Sequence, residues 1–158
     1  MKNYQTSEIK NVVLLGASGS GKTTFAEAMA YEGKVIDRRG TIENGTTLSD
    51  NTDLERTNQR SIYSTILYTE FMDHKLNIID APGSDDFSGG LFSAFKVADV
   101  GLMLFNAQNG FEVGSEIQSR YAETYKVPLI GVINQLDHEK ANWENTMESI
   151  AAFSKVKP

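Results

Sequence analysis

Three short clusters in this 158-residue chain carry side chains at spacings that could do chemistry on a phosphate-bearing ligand. The first is Gly16-Ala17-Ser18-Gly19-Ser20-Gly21-Lys22-Thr23-Thr24, a glycine, four residues, then Gly-Lys-Thr. Glycines in such a run let the backbone wrap an anion so that successive N–H groups point inward. Lys22 is then placed to reach β- and γ-phosphates, and the Thr23 hydroxyl to ligate Mg²⁺. The second cluster is Asp80-Ala81-Pro82-Gly83. Here Asp80 could hold Mg²⁺ through a water, and the Gly83 N–H could sense a γ-phosphate and turn the loop beyond it into a switch. The third is Asn134-Gln135-Leu136-Asp137. A carboxylate at 137 can accept from both N1–H and the 2-amino group of guanine, with Asn134 bracing the base-side loops. Adenine offers neither donor, and such a site discriminates by roughly 10⁴–10⁵. Each cluster also has a bland reading, as a Gly/Ser-rich turn, an Asp-x-Pro-Gly turn or a common loop composition.

What favours the chemical reading is placement. Apolar runs at Asn11 to Leu15, Val100 to Phe105 and Leu129 to Ile133 read as buried strands. Ile62 to Phe71 and Lys75 to Ile79 read as a hairpin turning at Asp73 and His74. Helical spacing predicts helices at Lys22 to Glu32, Leu91 to Val97, Glu112 to Tyr125 and Lys140 to Lys155. Lys34 to Gln59 reads as a long mobile polar loop, and Gly83 to Gly90 as a shorter one. Strands alternating with helices predict an α/β fold: a mostly parallel sheet, helices on both faces and one antiparallel edge hairpin. All three clusters directly follow strands, where ligands bind in such sheets.

Composition removes several classes. Lys and Arg total 15 against 21 Asp and Glu, a net charge of -6, so a protein that coats nucleic-acid phosphates is disfavoured. Without cysteine there are no disulfides, zinc knuckles or thiol nucleophiles. Met1 to Lys10 lacks the apolar region of a signal peptide, and no run approaches the ~20 apolar residues of a membrane helix. The expectation is a soluble, cytoplasmic, monomeric chain.

The three motifs, in this order, resemble the G domain of translational GTPases. Gly21 to Met29, Gly45 to Asp50 with Glu55 and Arg56, Asp80 to Phe87, Gly110 to Glu116 and Val127 to Asp137 are similar to the elongation factor G-like branch. The resemblance implies a P-loop nucleotide-binding fold, GTP or GDP with Mg²⁺ as ligands, the ribosome as partner, and a role in translocation. It also implies that residues 1–158 form the amino-terminal part of the G domain, without its last strand and second guanine loop.

Departures from the pattern are local. The family's catalytic His directly follows the Asp-x-Pro-Gly run, where this chain has Ser84, with Asp85 and Asp86 next to it. Ser84 cannot become cationic or orient water as an imidazole does, which favours a module that binds GTP without cleaving it. The alternatives are a ribosome-stimulated GTPase with another group in that role, or a relative of the ribosome-protection factors. A P-loop ATPase or kinase is opposed by Asp137. The switch threonine that completes the Mg²⁺ shell aligns with Tyr63, unless a register slip brings in Ser64 or Thr65. Gln135 stands for the family's Lys, and Gly19 for a frequent Asp. His74 and His138 read as surface residues, Trp143 and Phe153 as core or helix-packing residues, and Asp50, Asp53 and Glu55 as a solvated loop.

Overall fold

The computed structural model describes residues 3–84 and 88–153. After a 3₁₀ turn at Thr6–Glu8 come β1 (Ile9–Leu15), α1 (Lys22–Glu32), α2 (Asp53–Asn58), β2 (Thr65–Phe71) and β3 (His74–Asp80). Then follow α3 (Ser88–Phe95), β4 (Val100–Asn106), α4 (Val113–Tyr125), β5 (Leu129–Asn134) and α5 (Trp143–Phe153). The strands form one sheet in the order β2-β3-β1-β4-β5. β3, β1, β4 and β5 run parallel, and β2 joins β3 antiparallel.

β1 is central because Val12 to Leu15 are apolar on both sides of the pleat and all four are buried. Val13 and Leu15 enter one core with Leu91, Ala94 and Phe95 of α3 and Ala122 of α4. Val12 and Leu14 face the other way, onto Ala26 of α1, Ile78 and Leu104. Helices therefore cover both faces, as the alternation predicted. β5 is an edge strand whose Leu129, Ile130 and Gly131 are exposed. Among the described residues, no helix is long and apolar enough to cross a membrane.

Several boundaries move. The hairpin turns at Met72 and Asp73, with φ of 46° and 62°, one residue before the expected position. Pairing of Phe71 with His74 draws His74 into the ladder, leaving a two-residue turn whose left-handed backbone matches the strand twist. β2 begins at Thr65 rather than Ile62, because residues 62 and 63 bond to Glu55 instead of a strand. α3 starts at Ser88, inside the expected loop, and ends earlier than predicted. The region expected as one mobile loop contains α2, which opens on a capping box formed by Thr52 and Glu55. Trp143, expected to pack, is half-exposed on α5, whereas Phe153 stacks on Phe111 at 4.6 Å. Both histidines are exposed, as expected.

Candidate functional site

The three motifs lie at the carboxyl ends of β1, β3 and β5, along one rim of the sheet. After β1 the chain turns through Gly16, Gly19 and Gly21 at φ of 130°, 79° and 90°. At Gly16 a Cβ would collide with the Leu104 carbonyl, and at Gly21 with the Asn134 amide. Glycine is thus required by space as well as by dihedral. Gln118 of α4 grips the turn, accepting from the Gly16 N–H at 2.7 Å and donating to its carbonyl. No side chain caps α1, so its first N–H groups and its positive dipole end face the loop.

Lys22 curls back into that loop. Its Nζ donates to the carbonyls of Gly16 and Ala17, both at 2.9 Å, and the side chain is buried. Burial lowers its pKa to about 8, against the opposing pull of Asp80, Glu112 and Asp50. Gly83 presses on the same spot, where a Cβ would strike the Lys22 ammonium. A cavity of about 320 Å³ opens here, lined by Ser18, Gly19, Gly21, Lys22, Thr23 and Thr24 and, across from them, by Asp50, Ser61, Gly83 and Gln135. Ala17 and Ser18 border a second cavity with Arg60, Gly83, Ser84 and Glu112. Ser20 is buried beneath the loop.

Oxygen donors converge beside Lys22. The Thr23 hydroxyl donates to Asp80 Oδ2 at 2.7 Å and lies 3.0 Å from the Ser61 hydroxyl. Asp80 Oδ1, both Asp50 carboxylate oxygens and the Ser49 hydroxyl are buried without a hydrogen bond of normal geometry. Burial pushes both carboxyls up, Asp80 against the Thr23 hydroxyl and Asp50 against the nearby Ser61 hydroxyl. Orphaned buried carboxylate oxygens are costly unless something completes them. A hydrated divalent cation fits this set, because the donors are hard oxygens. Among the described residues no cluster of three or more His, Cys, Asp or Glu could cage an ion.

Two further buried carboxylates shape the polar segment around the cavity, contrary to the expectation of a solvated loop. Glu27 of α1 accepts from the N–H groups of Gly40, at 3.0 Å, and Leu48. Glu55 accepts from the N–H groups of Ile62 and Tyr63, each at 3.1 Å, and from the Thr52 hydroxyl at 2.7 Å. Burial alone would raise the Glu55 pKa, but these donors outweigh it and hold the carboxyl below its usual range. A depressed folded-state pKa means stability that is present above the unfolded value and lost as pH falls through the folded one. Glu55→Gln should therefore cost about 1–3 kcal/mol near neutrality. The gap between variant and wild type in urea unfolding should shrink as the pH drops below 4.5, the ordinary glutamate value; a pH-independent gap would contradict the assignment.

On the opposite side, Asn134 Nδ2 donates to the Ser20 carbonyl and Gln135 Nε2 to that of Gly19, both at 2.9 Å. Gln135 thus braces the glycine loop without a charge. Asp137 is exposed in the following turn and does not line the 320 Å³ cavity. Asp85, Asp86 and Phe87 lie outside the described residues. Sequence reasoning missed Asp50, Ser61, Gln118 and Glu112 as neighbours of the glycine loop. Thr52-x-x-Glu55 was a legible capping signal; the others stand far from the motifs in sequence and carried none.

The profile of the elongation factor Tu GTP binding domain matches residues 7–157. The chain belongs to that family. This elongation factor-type GTP-binding domain is 34% identical over 156 residues to elongation factor G of Dehalococcoides mccartyi, covering 99% of the chain and 22% of that relative. It is 34% identical over 139 residues to the elongation factor G-like protein of Mycobacterium tuberculosis, covering 88% of the chain and 20% of the relative. A crystal structure of a Thermus thermophilus protein superposes with a TM-score of 0.88 at 32% identity, over 92% of this chain and 22% of that one. The domain therefore spans about a fifth of the length of these relatives.

Proposed function

We propose that this chain binds GTP and GDP with Mg²⁺ in the glycine-loop cavity and acts as a nucleotide switch of an elongation factor G-like protein on the ribosome. The observation that carries this reading is Lys22. A buried ammonium held by two loop carbonyls, at an uncapped helix start and beside orphaned carboxylates, is a half-built phosphate and cation site. The loop N–H groups from 17 to 24 cradle the phosphates, and Lys22 turns from Gly16 and Ala17 toward them. Thr23 and Asp80 hold the metal side. When bound there, Mg²⁺ would neutralise phosphate charge. Asn134 and Gln135 keep the base-side loop on the glycine turn, and Asp137 accepts the guanine N–H donors. The Gly83 N–H and the segment around residues 40–65 sense the γ-phosphate. Their ordering favours the ribosome-competent state by as much as that state binds GTP better.

Ser84, lining two cavities but neither cationic nor long, supports binding over cleavage. The test is equilibrium titration with GTP, GDP and ATP, followed by single-turnover cleavage on ribosomes. GTP and GDP should bind at least ~100-fold more tightly than ATP. Equal affinities would refute the guanine assignment, and cleavage as fast as that of a His-bearing relative would refute the non-cleaving switch.

A further inference from the structure

We propose that Ser61 supplies the switch-side oxygen of the Mg²⁺ shell, and that Glu55 is the positioning residue that holds it there. The proposal deepens the GTP-binding reading and rests on it. In the resembled pattern that oxygen belongs to a threonine aligned with position 63, and the structure removes each residue near that position in turn. Tyr63 is 58% exposed, and a phenol is in any case a poor replacement for a short hydroxyl. The Ser64 hydroxyl is buried against Gly90 of α3, where a Cβ on that glycine would strike it. Thr65 donates its hydroxyl to the Ser49 carbonyl at 3.1 Å. Ser61 alone of the four reaches the metal side, at 3.0 Å from the Thr23 hydroxyl and in the wall of the cavity with Lys22 and Asp50.

The hydrogen-bond directions suit that role. Thr23 gives its proton to Asp80 Oδ2, and the single Ser61 proton serves the Thr23 oxygen or the nearby Asp50 carboxylate. In either case the Ser61 oxygen keeps its lone pairs for a hard cation, beside the buried carboxylates of Asp50 and Asp80. Ser61 sits in a short limb between the end of α2 and β2 that makes no strand pairing of its own. Glu55 fixes that limb from below by collecting the N–H groups of Ile62 and Tyr63, the two residues directly after Ser61. The Arg60 N–H bonds the Glu55 carbonyl at 3.3 Å, so both flanks of Ser61 are tied to one residue. These ties turn Tyr63 outward and Ser61 inward. The register that lost the threonine thereby gained another oxygen.

The test measures GTP and GDP affinity as a function of free Mg²⁺, and in EDTA, for wild type and for Ser61→Ala, Ser61→Cys and Ser61→Thr. Removing the oxygen should raise the half-saturating Mg²⁺ by about 10-fold or more while leaving the EDTA affinity unchanged. Ser61→Thr should restore the wild-type Mg²⁺ dependence. Ser61→Cys, isosteric and with a soft sulfur, should behave as Ser61→Ala, so the test survives if the alanine variant folds poorly. Glu55→Gln should shift the Mg²⁺ curve in the same direction with the hydroxyl intact. As a readout apart from affinity, Mg²⁺·GTP should slow tryptic cleavage after Arg56 and Arg60 in wild type but not in Ser61→Ala. A Mg²⁺ curve unchanged in Ser61→Ala and Ser61→Cys would overturn the proposal, as would an equal loss of affinity with and without Mg²⁺. No GTP binding by wild type under any condition would instead overturn the nucleotide-site reading.

Discussion

Lys22→Met should weaken GTP and GDP binding by on the order of 10²–10³-fold, about 3–4 kcal/mol, because it removes the buried ammonium proposed to meet the phosphates. The same variant should unfold no more easily than wild type in the absence of nucleotide. Burial lowers the Lys22 pKa from 10.5 to about 8. A depression of that size means the nucleotide-free fold disfavours the charged ammonium by about 3 kcal/mol. Methionine has a similar stem and no charge to bury, so it relieves that strain. The sign with pH follows. The unfolded chain binds more protons than the folded one between about pH 8 and 10.5, so the lysine's penalty fades as pH rises through that window. Phosphate, by contrast, needs the charged form, and wild-type GTP affinity should fall as pH rises above about 8. Titration calorimetry at several pH values and denaturant unfolding of the nucleotide-free chain check both halves. Destabilisation by several kcal/mol, or a flat affinity profile from pH 7 to 10, would show that Lys22 is a structural residue rather than a phosphate ligand.

Asp137→Asn should lower GTP affinity by about 10²–10³-fold without raising ATP affinity. Guanine presents two adjacent donors, and a carboxylate presents two acceptors. An amide keeps one acceptor and sets an N–H against a donor, leaving both unpaired. A base with a carbonyl in place of the 2-amino group matches the amide instead, so xanthosine triphosphate should become the better ligand. Asp137 is exposed and does not line the glycine-loop cavity. The substitution should therefore change folding stability by less than about 0.5 kcal/mol. Competition titrations with GTP, ATP and xanthosine triphosphate decide the matter; unchanged GTP affinity would remove Asp137 from the base site.

The glycine loop and the Asp80 turn were legible because their chemistry lies within a few consecutive residues. A strand, a glycine turn and a helix start are local events, and Gly16, Gly21 and Gly83 announce backbone positions that tolerate no side chain. The central apolar run of β1 likewise announced its burial. The segment from Lys34 to Gln59 was misread for the opposite reason. Its polarity suggests solvent, yet Asp50 and Glu55 within it are each 3% exposed or less, and Glu27 of α1, which holds it, is 1% exposed. They are buried because backbone N–H groups or neighbouring site residues surround them, and polarity alone does not reveal a partner 20 residues away. Trp143 shows the converse, an apolar residue left half in solvent by the face α5 presents.

By itself the sequence determined the α/β fold, the glycine loop and the Asn134 to Asp137 cluster after the last strand, with Ser84 where the resemblance leads one to expect a histidine. These follow from local spacing, where a motif carries its own geometry. Only the tertiary structure decided which hydroxyl faces Thr23. Positions 61, 63, 64 and 65 are chemically close in sequence, and their directions depend on the backbone that Glu55 holds from seven and eight residues away. The structure likewise decided that Gln135 still braces the glycine loop, because a hydrogen bond between residues 116 apart exists only once β1 and β5 share a sheet. Local chemistry is written along the chain; the orientation of a side chain is set by whatever binds its neighbours' backbone.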